Sequence, residues 1–132
     1  MNVIILGCGR AGSGLAAQLD REGHEVTVID QSGDALRRFL PDFKGKTFIG
    51  DGLDEDVLRR AGIDQADAFC ALTQGDNRNI MACEIAKIVF NVPKAIARMY
   101  DPIREEVFRE LGLETFCPTP IDVQTMRQLL DR

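Results

Sequence analysis

The chain has no tryptophan, one tyrosine and one histidine, and aromatic residues make up only 6% of it. A lone histidine leaves no paired-histidine metal site. The four cysteines, Cys8, Cys70, Cys83 and Cys117, form no Cys-x-x-Cys pair, which argues further against zinc; free thiols fit a reducing cytosol. No apolar run approaches the roughly 20 residues that span a bilayer. The chain opens directly on a strand-like segment, which predicts no signal peptide. Sixteen basic residues against 21 acidic ones give a net charge of −5, so bulk charge does not hold this protein on nucleic acid or anionic lipid. Nor is there a linker or low-complexity stretch. What remains is 132 residues, 45% hydrophobic and 28% charged, the profile of one soluble globular domain.

Short apolar runs alternate with helical patterns, which predicts an α/β fold: a doubly wound, parallel, six-stranded sheet with helices on both faces. Strands are expected at 2–7, 25–30, 46–50, 67–72, 94–99 and 114–117. Helices are expected at about 10–23, 32–40, 54–61, 76–91, 101–111 and 120–131. Leu36, Phe39 and Leu40 give the second helix its apolar spacing. Asp54 is a cap and Gly62 a stop for the third. Ile80, Met81, Ile85, Ile88 and Val89 form a wide apolar stripe on the fourth. Asp101-Pro102 opens the fifth, where Ile103, Val107 and Leu111 repeat at helical spacing. The last helix carries Val123, Met126, Leu129 and Leu130, which either pack on its own sheet or exchange onto a partner. Cys70 and Cys117 read as buried small hydrophobes.

The first strand runs into Gly7-Cys8-Gly9-Arg10-Ala11-Gly12, and the second ends in Asp30, 18 residues after the last glycine. This strand, glycine turn, helix, strand and acid is the dinucleotide (Rossmann) fingerprint in its structural context. Gly7 permits the tight turn, Gly9 lets a pyrophosphate approach the backbone, and Gly12 lets helix and strand pack closely. The helix start offers free N–H groups to an anion. Cys8 fills the turn or has a redox role. Asp30, acceptor-only when ionised, suits a ribose diol and repels a 2′-phosphate, favouring NAD-like or adenosine ligands over NADP.

Ligands of doubly wound sheets bind beyond the carboxyl ends of the strands. The candidate rim therefore collects the loops Gly7 to Gly12, Asp30 to Ser32, Gly50 to Leu53, Leu72 to Asn77 and Arg98 to Tyr100. Within them the candidate binding residues are Gly7 to Gly12, Asp30, Gln31, Ser32, Asp51, Gly52, Leu53, Thr73, Asn77 and Arg98. Arg10, a cation at a helix start, conflicts with the dipole unless a phosphate joins it. Arg98 is a second phosphate candidate, or an ion-pair partner of Asp76 or Asp101. Asp51 flanks a flat adenine or caps its own loop. Thr73, Asn77 and Asn79 can supply hydrogen bonds, and Asn77 can simply start a helix. His24 falls in a turn at the opposite end of the sheet, and no Ser–His–Asp or Tyr-x-x-x-Lys set is available. The rim is equipped to bind a nucleotide and lacks obvious equipment for chemistry. An NAD-dependent oxidoreductase cofactor domain is the alternative reading.

The chain resembles the N-terminal nucleotide-binding (RCK or KTN) domain of TrkA-type potassium-uptake regulators from Met1 to about Thr119. The carriers are the glycine turn, Val28-Ile29-Asp30, and Gly50-Asp51-Gly52-Leu53 through Ala61-Gly62-Ile63. Ala66-Asp67-Ala68, Ala71-Leu72-Thr73 with Asp76-Asn77-Arg78-Asn79, and Ala97-Arg98 extend them. The resemblance implies a non-enzymatic regulatory subunit, cytoplasmic and peripheral to the inner face of the membrane through a potassium channel or transporter. It implies binding of NAD(H) or of ATP, ADP or AMP, and homodimers that assemble into rings. By position, Gly7, Gly9, Arg10 and Gly12 would face phosphates, Asp30 the ribose, and the Asp51 loop the adenine. Thr73 and Arg98 would line the far end. Residues 1–119 would form the nucleotide-binding domain, and 120–132 a crossover helix that swaps between subunits. The family's usual C-terminal ligand-binding lobe has no counterpart in these residues.

Overall fold

The computed structural model describes residues 1–39 and 41–132; Leu40 and the side chain of Phe39, two of the three apolar positions expected on the second helix, lie outside the described residues. The elements run β1 (Asn2–Leu6), α1 (Arg10–Arg21), β2 (Glu25–Asp30), α2 (Gly33–Phe39), β3 (Lys46–Ile49), α3 (Glu55–Arg60), β4 (Ala68–Ala71), α4 (Asp76–Glu84), β5 (Lys94–Arg98), α5 (Pro102–Glu110), β6 (Glu114–Phe116) and α6 (Pro118–Leu129). A short 3₁₀ turn, Ile63–Gln65, precedes β4, and a π-helical turn, Ile85–Val89, continues α4. All six strands are parallel, in the order β3-β2-β1-β4-β5-β6. Sequence order reverses between β1 and β4, and the crevice of a doubly wound sheet opens at that switch point.

The central strands are buried apolar runs because helices cover both their faces. Ile4, Leu6, Ile29 and Phe69 join Leu58, Ile80, Ala82 and Cys83 in one cluster, on the side of α3 and α4. Val3, Ile5, Val26 and Val28 join Ala16 and Leu36 in a second, on the side of α1 and α2. In register, Leu6 lies opposite Ile29 on one side and Ala71 on the other. The loops after β1, β2 and β4 therefore leave the sheet at one level.

Local signals account for the boundaries. The Asp54 carboxylate accepts from Asp56 N at 2.8 Å and caps α3, and Gly62, at φ +89°, turns the chain away. Asp101 caps α5 and Pro102 occupies its first position. α6 begins at Pro118, two residues before expectation, because prolines are tolerated in a first turn whose N–H groups lack helical partners.

Two apolar stripes end up elsewhere than a core, and a third is divided. On α4 and its π turn, Ile80 is buried and the half-buried Ile85 packs against the core, while Met81, Ile88 and Val89 are exposed; Asn79, Ala82, Cys83 and Ala86 complete the buried face. On α5, Ile103, Val107 and Leu111 all face solvent, and the buried residue is Glu105. No residue of α6 is buried, so this helix does not pack on its own sheet. Cys70 and Cys117 are half-buried. Glu105 is held by Thr115 Oγ1 at 2.8 Å and by the Arg109 guanidinium, a fastening of α5 to β6.

Candidate functional site

β1 ends in a turn that only glycine can make. Gly7 has φ +105°, and a Cβ there would lie 2.7 Å from the Leu72 carbonyl oxygen. A Cβ on Gly12 would lie 1.8 Å from the Gly7 carbonyl oxygen, so α1 sits against the turn with no room for a side chain. At Gly9 an added Cβ would meet nothing within 4 Å, which leaves space above the backbone where a ligand is expected. Gly9 also starts α1. No side chain caps that start and no acid lies in its first turn. The first amides and the positive end of the helix are therefore free for an anion. Arg10 stands there exposed, with no acidic partner among the described residues.

Asp30 closes the second side. Its Oδ2 accepts from Cys8 N at 2.7 Å and its Oδ1 from Ser32 N at 2.8 Å. A carboxylate has about four acceptor positions. Two are used to fix the rotamer, and the other two remain for a diol. Ser32 Oγ in turn accepts from Ala35 N at 3.2 Å and starts α2.

These elements enclose a cleft of about 430 Å³, within the range of roughly 300–1,000 Å³ of small-molecule pockets. Of the residues expected from sequence, Gly7, Cys8, Gly9, Asp30, Gln31, Gly52 and Thr73 line it. Arg10, Ala11 and Gly12 belong to the adjoining first turn of α1. Asp51 and Leu53 stand beside Gly52: Asp51 Oδ1 accepts from Leu53 N at 3.0 Å, so Asp51 does fold its own loop. The same oxygen accepts from Arg78 Nη1 at 2.7 Å.

Three further expected residues do not line the cleft: Ser32, which starts α2, Asn77 and Arg98. Asn77 is an exposed first-turn residue of α4 that accepts from Arg104. Arg98 is buried; its Nη2 donates to the Leu72 and Thr73 carbonyls at 3.0 and 3.2 Å, and its guanidinium lies 4.9 Å from the centre of the Tyr100 ring. Neither Asp76 nor Asp101 pairs with it. Asp76 accepts from the amides of Tyr100 and Asp101 instead. Asn79 directs all its hydrogen bonds inward. Its Oδ1 accepts from Thr73 N at 3.0 Å and Oγ1 at 2.6 Å, and its Nδ2 donates to the carbonyls of Thr73 at 3.0 Å and Arg98 at 2.8 Å.

Within the expected Leu72 to Asn77 loop, Leu72, Gln74 and Gly75 also line the cleft; sequence reasoning missed Leu6, Ala35 and Arg78 as lining residues. For Arg78 a signal existed. It is a cation in the first turn of a helix, the conflict already noticed at Arg10. Cys8 is buried with its Sγ 3.5 Å from the Ala35 carbonyl. Burial, and then the charge of Asp30, push its thiol up to about 11, so it is protonated at neutral pH and fills the turn. His24 is half-exposed at the other end of the sheet, where its Nδ1 accepts from the Met1 ammonium at 2.8 Å.

The TrkA-N domain family model matches residues 3–118. The Trk system potassium uptake protein TrkA of Streptomyces coelicolor is 47% identical over 131 residues, which is 98% of this chain but 59% of that protein. The chain thus spans less than two thirds of that relative. The Kef CTD of Shewanella denitrificans, solved in AMP-bound form, superposes with a TM-score of 0.83 at 23% identity, over 99% of this chain and 80% of that one. The GsuK channel bound to NAD matches with a TM-score of 0.72 at 21% identity, over 86% of this chain and 21% of that one. At such identities the two structures establish the fold.

Proposed function

The chain belongs to the TrkA-N family, and from that premise we propose that it is a regulatory nucleotide-binding domain for a potassium channel or transporter. The ligand is NAD(H) or an adenine nucleotide, ATP, ADP or AMP. The observation that carries this reading is the junction of the uncapped start of α1, the exposed Arg10 and the half-used carboxylate of Asp30 around one cleft. Phosphates take the amides and Arg10, and the ribose takes Asp30. AMP in the Kef domain and NAD in the GsuK channel support an adenosine-containing ligand for a fold of this shape.

The domain acts as a receptor and not as a catalyst. The ionisable side chains lining the cleft are Asp30, Arg78 and a protonated Cys8, each engaged by a protein partner. Ligand works by its differential affinity for two arrangements of a homodimer. Residues 1–119 form the nucleotide-binding unit. The stripe of Val123, Met126, Leu129 and Leu130, exposed on α6, crosses to a second copy, and such dimers build a ring. The assembly sits in the cytoplasm, against the inner face of the membrane, through its transporter partner.

The test is to purify the protein natively, identify any retained nucleotide by mass spectrometry, and titrate the stripped protein with NAD, NADH, ATP, ADP and AMP by calorimetry. Micromolar binding of at least one is expected, without any change in nicotinamide absorbance over a panel of reducible substrates. Binding of none overturns the proposal, and a substrate-dependent absorbance change would restore the oxidoreductase alternative.

A further inference from the structure

Arg78 is the one cationic side chain among the described residues lining the cleft, and its charge is already matched. It stands in the first turn of α4, and Asp51, 27 residues earlier, lies in the loop after β3. The anchor is rigid. The Asp51 carboxylate also holds Leu53 N, and the Asp51 carbonyl accepts from Asp54 N at 3.0 Å. One edge of the guanidinium is thus fixed to a folded loop. Close by, Gly52 is buried and pressed on Leu6, where a Cβ would come within 2.3 Å of the leucine Cδ1. Leu6, Leu72 and Ala35 give this cleft an apolar lining with a single flat cation on its wall.

A phosphate-gripping arginine needs free charge, and Arg10 has it. Arg78 is already paired and oriented by a carboxylate at 2.7 Å. What a paired guanidinium still offers is its charged plane, which stacks flat on an aromatic face where the ammonium of lysine can supply charge alone. We propose that Arg78 is the base-recognition residue of this site: its plane, oriented by Asp51, stacks on the purine of the bound nucleotide. The inference rests on the nucleotide-receptor reading and deepens it, dividing the two arginines into a phosphate residue and a base residue.

The test compares the full chain with R78A, R78K and D51N by calorimetry against AMP, ADP, ATP and NAD, with ribose 5-phosphate as a ligand that lacks a base. R78A should weaken all four adenine ligands by a similar factor, roughly five- to thirtyfold, the equivalent of about 1–2 kcal/mol of cation–π contact. R78K should lose part of this, since its ammonium keeps a charge over the ring but not the stacked plane, D51N should lose less, and the affinity for ribose 5-phosphate should be the same in all three. Thermal melting of each variant confirms that it is folded, as expected for a half-exposed position. Three results overturn the assignment: R78A binding like wild type, R78K binding like wild type, or a loss that grows from AMP to ATP, the mark of a phosphate contact. If the wild-type chain binds none of the four, the receptor reading itself falls, and this inference with it.

Discussion

Removing the Asp30 carboxylate tests the ribose assignment most directly, because the structure says how many of its acceptor positions are free. Two of about four are taken by Cys8 N and Ser32 N. The other two can receive the 2′- and 3′-hydroxyls, each in a hydrogen bond to a charged group worth about 1.5–3 kcal/mol. Asp30 is half-exposed, so the lower end applies, and two such bonds amount to about 3 kcal/mol, roughly a hundredfold in affinity. Asp30→Ala should therefore weaken ADP about a hundredfold. On the wild type, 2′-deoxy-ADP, which gives up one bond, should bind about tenfold more weakly than ADP. The decisive comparison is within the variant. With no carboxylate left, ADP and 2′-deoxy-ADP should bind it alike. The variant also leaves the Cys8 amide without its acceptor, at a cost of about 1–3 kcal/mol in stability, so calorimetry must be run well below its melting temperature. Persistent discrimination against the deoxy ligand in Asp30→Ala, or unchanged affinity for ADP, would refute the ribose role.

Gly12→Ala should lower stability by more than about 3 kcal/mol, or prevent folding, since the new methyl would lie 1.8 Å from a carbonyl oxygen; a melting temperature equal to wild type contradicts the packing described. Hydrogen bonding from the Arg109 guanidinium holds the Glu105 carboxyl below its ordinary value of 4.5 against the opposing effect of burial, with Thr115 assisting. A lowered folded value means stabilisation present above about pH 4.5 and lost as pH falls through the folded value. The gap in stability between wild type and Glu105→Gln should thus be widest near neutral pH and narrow on acidification below 4.5; a gap that stays constant to pH 3 in denaturant titrations excludes the linkage. Ending the chain at Cys117 removes α6, none of whose residues is buried in the monomer. Size-exclusion chromatography with light scattering should then show a dimer becoming a monomer with its melting temperature little changed, and an unaltered dimer would reject exchange through this helix.

The sheet was legible because its strands are short and apolar and its punctuation is strong. The runs before Gly7 and up to Asp30, the Asp54 cap and the Asp101-Pro102 start each allow one local solution. The glycine turn was legible for the same reason: Gly7 and Gly12 face carbonyl oxygens that no side chain can approach. What periodicity misjudged was destination. A stripe such as Ile103, Val107, Leu111 says that a helix has an apolar face, and cannot say whether that face meets its own sheet or another surface. The inward face of α5 carries Glu105, a charge that sequence reading assigns to solvent and that Arg109 and Thr115 satisfy inside. The ion-pair reading of Arg98 failed for a related reason. A strand-end arginine looks like a ligand for an anion or an acid, yet its partners are two carbonyls from a loop 25 residues away, and backbone acceptors leave no signature in sequence.

Asn79 carries a mechanical consequence. One amide group ties the loop after β4 to the end of β5, with four hydrogen bonds and no exposed surface. Just past the end of β5, the Tyr100 carbonyl accepts from Thr119 Oγ1, 2.6 Å away in the first turn of α6. The wall of the cleft at Thr73 and the root of the outgoing helix are therefore bolted to the same frame, with only Asn79 and the stem of β5 between them. Such a joint has little slack: any shift of the loop at Thr73 must either break a buried bond or tilt the base from which α6 projects.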